Sequence, residues 1–210
     1  MYVIVKKILF LFDPEYEHHL VMFGLRFMDK IGLLALSCEK PKCVPRIVGG
    51  IKCEKPGGLA AGMDKNASYI DTLSWLGFGF IAVGTVTPKP QPGNKKPRLF
   101  RLPRDKALIN SMGFNNDGLN TFVNNLKKSK WVKQKKGLIG INLDMNFDTN
   151  LNNAHLDYET GLDATYKYAD YIVINISSPN TKGLRKLQEN IFLKKLLASL
   201  KKKQKKLLAK

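Results

Sequence analysis

Residues 171–181 read Tyr171-Ile172-Val173-Ile174-Asn175-Ile176-Ser177-Ser178-Pro179-Asn180-Thr181. The run begins with four large apolar residues, three of them β-branched. That suits a strand buried on both faces, as strands of parallel sheets are. It then turns polar at Asn175, Ser177 and Ser178, and Pro179 ends it. A strand is expected over Tyr171–Ser177, with a polar cluster at its carboxyl end. The same pattern occurs upstream, at Gly57–Ala61, Phe80–Thr87 and Leu138–Leu143. Helical stretches follow each strand, at about Ala67–Leu76, Asp117–Ser129, Asn153–Tyr168 and Glu189–Leu208. Four strand–helix units predict an α/β fold with a parallel sheet and right-handed crossovers. A hairpin is expected just before them, at Arg46-Ile47-Val48-Gly49-Gly50.

Residues 1–40 read differently, as a helical leader to the domain of residues 41–210. Asp13-Pro14-Glu15 is a helix start: an N-cap acceptor, a first-turn proline and an acid at the positive end of the dipole. The helix should run to about Gly32. Leu20, Phe23, Phe27, Ile31 and Leu34 recur at helical spacing, and Val21, Met22, Leu25 and Met28 widen the stripe. Lys6, Lys7, Arg26 and Lys30 rim it. On pattern alone the stripe is expected to pack on the domain; the competing reading is a membrane interface. The apolar run Ile8–Phe12 is too short for a signal peptide, and nothing approaches the 20 or so apolar residues of a spanning helix.

Composition narrows the function classes. The chain has 210 residues, 44% of them hydrophobic, which excludes collagen-like and wholly disordered chains. Its formal net charge is +18. AT-rich codons favour both lysine and asparagine, so the excess reads either as codon bias or as attraction for polyanions. No motif that reads DNA or RNA is visible, so nucleic acid is not an expected partner. The last helix carries leucines on one side (Leu193, Leu196, Leu197, Leu200, Leu207, Leu208) and lysines on the other, and is read as a solvated face opposite a core stripe. Cys38, Cys43 and Cys53 lack the spacing of a zinc site or disulfide framework, so no metal is expected.

In parallel βα folds the chemistry collects at strand carboxyl ends. After the first strand comes Gly58-Leu59-Ala60-Ala61-Gly62-Met63-Asp64-Lys65-Asn66, where small residues let a flat ligand approach and Lys65 supplies a cation. After the second comes Gly84-Thr85-Val86-Thr87-Pro88, then a loop of some 20 residues rich in Pro and Gly. That loop ends in Asn110-Ser111-Met112-Gly113-Phe114-Asn115-Asn116, whose amides each offer a donor and an acceptor. Asn142 follows the third strand, and Asn175, Ser178 and Asn180 follow the fourth. No His or Cys adjoins Ser178, and no glycine-rich phosphate loop is present. The residues alone indicate a flat-ligand pocket in a βα barrel.

Several of these stretches resemble the quinone-linked, membrane-associated class of dihydroorotate dehydrogenase. They are LFDPEYEHHL (11–20), GLAAGMDKN (58–66), LGFGFIAVGTVTPKPQPGNKKPRLFRLP (76–103), LINSMGFNND (108–117), GINL (140–143) and YIVINISSPNTKGLRKLQ (171–188). The resemblance implies a (β/α)8 TIM-type barrel and oxidation of dihydroorotate to orotate in pyrimidine (UMP) synthesis. FMN would take the hydride, and a membrane quinone would be the final electron acceptor. Ser178 falls on the family's catalytic base, which is cysteine in the cytosolic class, and Thr181 is the nearest candidate to activate it. Lys65, Asn110, Ser111, Met112, Gly113, Phe114, Asn175 and Asn180 fall on substrate positions. Ala60, Ala61, Gly62, Met63, Asp64, Thr85, Asn142 and Asn175 fall on flavin positions. His18 and Arg101 match the quinone tunnel. The resemblance moves the leader toward a peripheral membrane role, on the cytoplasmic side of the inner membrane.

Two departures stand out. The family has a glycine and a basic residue soon after the third-strand asparagine, where this chain has Asp144 and Met145. A (β/α)8 barrel also needs about 250 residues, whereas this chain ends after four units. The expectation is a truncated polypeptide. The family's flavin lysine, second Asn–Thr stretch and phosphate-holding glycine loops would lie beyond Lys210. The open sheet edges would then invite self-association or a second chain that completes the barrel, and FMN would bind weakly or not at all. The rival readings are thus an active quinone-dependent enzyme, an inactive self-associating remnant, and a basic module for lipid or nucleic acid.

Overall fold

The structure, a computed structural model, describes residues 2–37 and 43–209. Cys38 and the last residues of the expected leader, 38–40, lie outside the described residues. The leader forms helices α1 (Tyr2–Leu9), α2 (Pro14–Lys30) and α3 (Leu33–Ser37). The helix start at Asp13 is as the residues dictate. Its carboxylate accepts hydrogen bonds from the backbone N–H groups of Glu15 (2.9 Å) and Tyr16 (3.1 Å). Such a cap is worth about 1 kcal/mol.

The hairpin is β1 (Arg46–Val48) and β2 (Ile51–Cys53), turned by Gly49-Gly50. The barrel strands are β3 (Gly58–Leu59), β4 (Phe80–Val86), β7 (Leu138–Leu143) and β8 (Tyr171–Ile174). All pair in parallel, in the order β3-β4-β7-β8. Helices α4 (Ile70–Ser74), α5 (Gly118–Lys128), α7 (Ala154–Thr165) and α8 (Asn190–Leu208) alternate with them, and the short α6 (Lys130–Lys133) follows α5. This is part of a TIM-type barrel with a helical leader. β3 and β8 are shorter than the sequence suggests, because Ala60–Ala61 and Asn175–Ser177 leave the ladder to form strand-end loops. The long Pro/Gly loop also holds structure of its own: β5 (Leu99–Leu102) pairs antiparallel with β6 (Ala107–Asn110).

Alternation divides the sheet into two faces. Ile81, Val83, Ile139, Ile141 and Leu143 point to the helices and are fully buried, joined by Phe122 of α5, Tyr158 of α7 and Leu196 of α8. The other face carries Phe80, Gly140, Asn142, Tyr171 and Val173 and is more open. Its packing relies on glycine. A Cβ on Gly140 would lie 2.2 Å from the Tyr171 ring, and one on Gly58 would lie 2.0 Å from the Phe80 ring. The two rings meet edge to face at 6.3 Å.

The leader corrects the pattern-based expectation. Leu20, Phe23, Phe27 and Ile31 face outward, Phe23 being 68% exposed; Met22 and Leu34 are the buried ones. The stripe is wide enough that one edge of it reaches the domain. Polar groups then hold that edge: Asp29 accepts from Thr72 Oγ1 and Trp75 Nε1, both at 2.9 Å. The last helix also divides: Leu196 and Leu200 are buried, while Leu197 and Leu208 are exposed.

Candidate functional site

Three strand-end segments and the β5–β6 hairpin meet at the carboxyl edge of the sheet. The first two strands are laced there by backbone bonds, Gly62 N–H to Gly84 O (2.8 Å) and Gly84 N–H to Asp64 O (3.0 Å). Gly84 has φ +105°, and a Cβ there would lie 2.5 Å from Asn142 O. Only glycine lets the chain pass so close to β7. Beside it, Asn142 projects from the open face. Its side-chain oxygen is buried without a partner among the described residues. A buried acceptor left unpaired is costly, about 1–3 kcal/mol, so it marks a place for a ligand donor.

Asn180 is the junction between β8 and the hairpin. Its side-chain amide donates toward Asn110 O (3.3 Å) and Asn110 Oδ1 (3.4 Å). Its backbone N–H donates to Ser178 Oγ (3.2 Å). The hydrogen bond that reaches Ser178 Oγ therefore comes from Asn180 rather than from Thr181. Asn94 closes the cluster by donating to Ser111 O (3.0 Å), Ser111 Oγ (3.2 Å) and Asn180 O (3.2 Å). Asn175 is held separately: Tyr158 donates to its carbonyl at 2.6 Å, and Ser177 donates to its side chain.

Lys65 is half-buried and donates to Gly62 O at 2.9 Å. Burial lowers its pKa, the Glu15 carboxylate opposes that, and Arg98 adds to it. Lys65 therefore feels the charges of the Glu15–Arg98 pair. Arg98 holds both Glu15 oxygens (2.6 and 3.1 Å), and its other nitrogen donates to Pro92 O and Asn94 O. Both residues are buried. Arg98, Asn94, Ser111, Asn180 and Ser178 are thus linked by successive hydrogen bonds, with Lys65 within electrostatic reach of Arg98. His18 reaches the same place from α2, near the Met63 backbone; burial and Lys65 lower its pKa.

Other expected site residues are placed differently. The Asp64 carboxylate accepts from Ser68 N–H (2.9 Å) and Tyr69 N–H (2.7 Å), and burial raises its pKa. Its side chain therefore shapes the loop, while its backbone faces β4. Thr85 and Gly113 are buried, Met112 and Phe114 half-buried, and Met63 is exposed. Ala60 is exposed and Ala61 and Gly62 half-buried, as a surface for close approach requires. Arg101 clasps the leader, donating to Phe10 O (3.3 Å) and Phe12 O (2.8 Å), pairing with Glu17 and lying over the Phe10 ring.

Sequence pattern does not single out Arg98, Asn94, Gln91 or Asn146. The Asn146 amide spans Thr87 Oγ1, Lys89 O and Gln91 Oε1, tying the second loop to the third. Glu15 reads from sequence only as a helix-start acid. Its second role needs a partner 83 residues away, which no local signal reveals.

A family model described as dihydroorotate dehydrogenase matches residues 46–210. The chain belongs to the dihydroorotate dehydrogenase family. It is 48% identical over 207 residues to a dihydroorotate dehydrogenase (quinone) of Herminiimonas arsenicoxydans, covering 99% of this chain and 59% of that protein. It is 50% identical over 208 residues to the protein of that name from Buchnera aphidicola, covering 97% and 59%. DHODH from Eimeria tenella in complex with ferulenol superposes with a TM-score of 0.77 at 39% identity, over 93% of this chain and 52% of that one. The ligand-free form from the same organism gives 0.76. The chain thus spans about 59% of the length of these curated relatives.

Against the family pattern, Asp144 is distinctive. It is buried and turned toward α7, where its Oδ1 accepts from Met145 N–H (2.7 Å) and lies 3.0 Å from Tyr158 Oη. Its Oδ2 has no partner among the described residues. Desolvation pushes its pKa up to about 8, and burial raises that of Tyr158. A neutral Asp144 brings no negative charge to the strand end. Met145, also buried, stands where a basic residue is expected.

Proposed function

We propose that this chain carries substrate- and flavin-facing parts of a quinone-linked dihydroorotate dehydrogenase, which oxidises dihydroorotate to orotate in pyrimidine synthesis. The observation that carries this reading is Asn180, which joins Ser178 to Asn110 where the sheet's carboxyl edge meets the hairpin. FMN, when bound, supplies the hydride acceptor. The residues present suit its ring: Ala60, Ala61 and Gly62 offer a small-residue surface, and the unpaired Asn142 oxygen offers an acceptor for an imide N–H.

The other steps fall to the chain's own side chains. Lys65, partly desolvated, offsets the substrate carboxylate, and its charge is felt more strongly there than in water. Asn110, Ser111, Asn175 and Asn180 orient the substrate ring with amide and hydroxyl groups. Ser178 Oγ takes the proton from C5 as it passes its own hydroxyl proton to water. Its intrinsic pKa is high, and the N–H bond from Asn180 favours the alkoxide character that Oγ gains while its own proton leaves. His18 and Arg101 connect this region to the leader, where the quinone would arrive.

The leader's outward face suits a membrane surface. Leu11 and Leu36 are 84% and 86% exposed, and Lys6, Lys7 and Lys30 of the same leader are exposed too. Among the described residues no helix is long and apolar enough to cross a membrane. Peripheral binding at the cytoplasmic side of the inner membrane follows from this reading.

The test is direct. The chain, with FMN, dihydroorotate and a quinone analogue, is expected to form orotate. Ser178→Ala should lower the rate at least about 100-fold while flavin stays bound. A colourless protein that forms no orotate refutes activity in this chain.

One observation favours a second reading. Among the described residues β8 pairs only with β7, and Val173 on the open face is 38% exposed. A further polypeptide segment laid along β8 would cover both; without it the chain self-associates and holds FMN weakly. Light scattering decides, since a monomer with one cooperative melt refutes this reading.

A further inference from the structure

The opposite end of the sheet carries a second feature. A concavity of about 1060 Å³ opens at the amino ends of β4, β7 and β8, between α4, α6 and the β1–β2 hairpin. Its lining is strongly cationic. Lys127, Lys130, Lys133, Lys135, Lys136 and Lys167 all border it, and all are exposed. None of them forms an ion pair among the described residues.

The acids of the same lining are already committed. Asp71 accepts from Ser129 Oγ, Lys130 N–H and Trp131 N–H. Asp29 is held by Thr72 and Trp75, Asp170 accepts from Ile139 N–H, and Glu54 pairs with Lys52. With eight lysines against four carboxylates in its lining, the concavity stays net positive, and among the described residues the buried indole N–H of Trp131 has no acceptor. Several of these lysines follow helix carboxyl termini, which favour cations. That accounts for one charge per helix end, not for four lysines between 130 and 136. Half-buried aromatic side chains, Trp75, Phe78, Trp131 and Tyr168, share the lining. Ammonium groups beside aromatic surface in one cavity match a ligand that joins a polyphosphate to a flat ring.

We propose that this concavity binds a nucleoside triphosphate, its phosphates against Lys130, Lys133 and Lys136 and its base against the aromatic wall. The site lies at the end of the sheet opposite Ser178 and stands independently of the catalytic reading.

The two tryptophans of the chain, Trp75 and Trp131, both line the concavity. Intrinsic fluorescence, excited at the red edge of the indole band, therefore reports on it alone. Titration of the full chain with UTP or ATP should quench saturably, with affinity falling as salt rises. Inorganic tripolyphosphate should bind several-fold more weakly. Lys133→Gln/Lys136→Gln should weaken binding about five- to tenfold. Lys201→Gln/Lys202→Gln, exposed on α8 outside the concavity, should leave it unchanged. Equilibrium dialysis checks the same constants without an optical signal, and circular dichroism checks that each variant is folded. Absent saturation, equal binding of tripolyphosphate, or equal weakening by the α8 pair would each overturn the proposal.

Discussion

Replacing Asp144 with asparagine should abolish a specific pH dependence of stability. The carboxyl is buried against Tyr158, with a folded-state pKa of about 8. In the unfolded chain an aspartate titrates near 3.9. Between these values the folded protein binds a proton that the unfolded chain has released. Stability is therefore highest below the unfolded pKa and falls as pH rises, by up to about 1.4 kcal/mol per unit. Over the whole span of about four units that limits the effect to about 5.5 kcal/mol. Between pH 6 and 8 the loss should be about 2 kcal/mol. For a chain of this size that is roughly 5–8 °C in melting temperature. The Asp144→Asn side chain keeps the shape and cannot ionise. Urea melts of both proteins across that range isolate the effect, because Asp157, which lies near enough to influence Asp144, is common to both. Equal slopes in the two proteins would refute the account of Asp144 as a neutral buried acid.

Other variants probe the rest of the frame. Glu15→Ala leaves Arg98 buried without its partner and should cost about 3–5 kcal/mol, with earlier proteolysis of the leader. Arg98 holds the Glu15 pKa below the usual carboxylate range. The stability this pair adds is present above the unfolded glutamate pKa and disappears as pH falls through the folded one, so it should vanish from the acid limb of Glu15→Gln. Gly84→Ala should destabilise by at least about 2 kcal/mol, since φ is +105° and Asn142 O occupies the Cβ position; a melt within error of the parent would contradict this. Leu143→Ala, in the fully buried layer, should cost about 2–5 kcal/mol, read from the urea midpoint.

Periodicity and punctuation are enough to locate much of the fold. The Leu138–Leu143 strand, the Asp13 cap and the Gly49-Gly50 turn each rest on neighbours in sequence, so their physics is local and legible. So do the polar strand ends, which is why Asn142, Asn175 and Ser178 stand out before any coordinates. Two other features need the tertiary structure. The outward direction of Phe23 and Phe27 depends on which edge of a broad apolar stripe meets α4, and hydrophobicity has no direction of its own. The Asn180 junction and the Glu15–Arg98 pair join residues tens of positions apart, and no local signal tells that the Asn142 oxygen is buried without a partner among the described residues. A side chain's spacing fixes its face, but its partner is fixed only when the strands take their register and the hairpin folds over their ends.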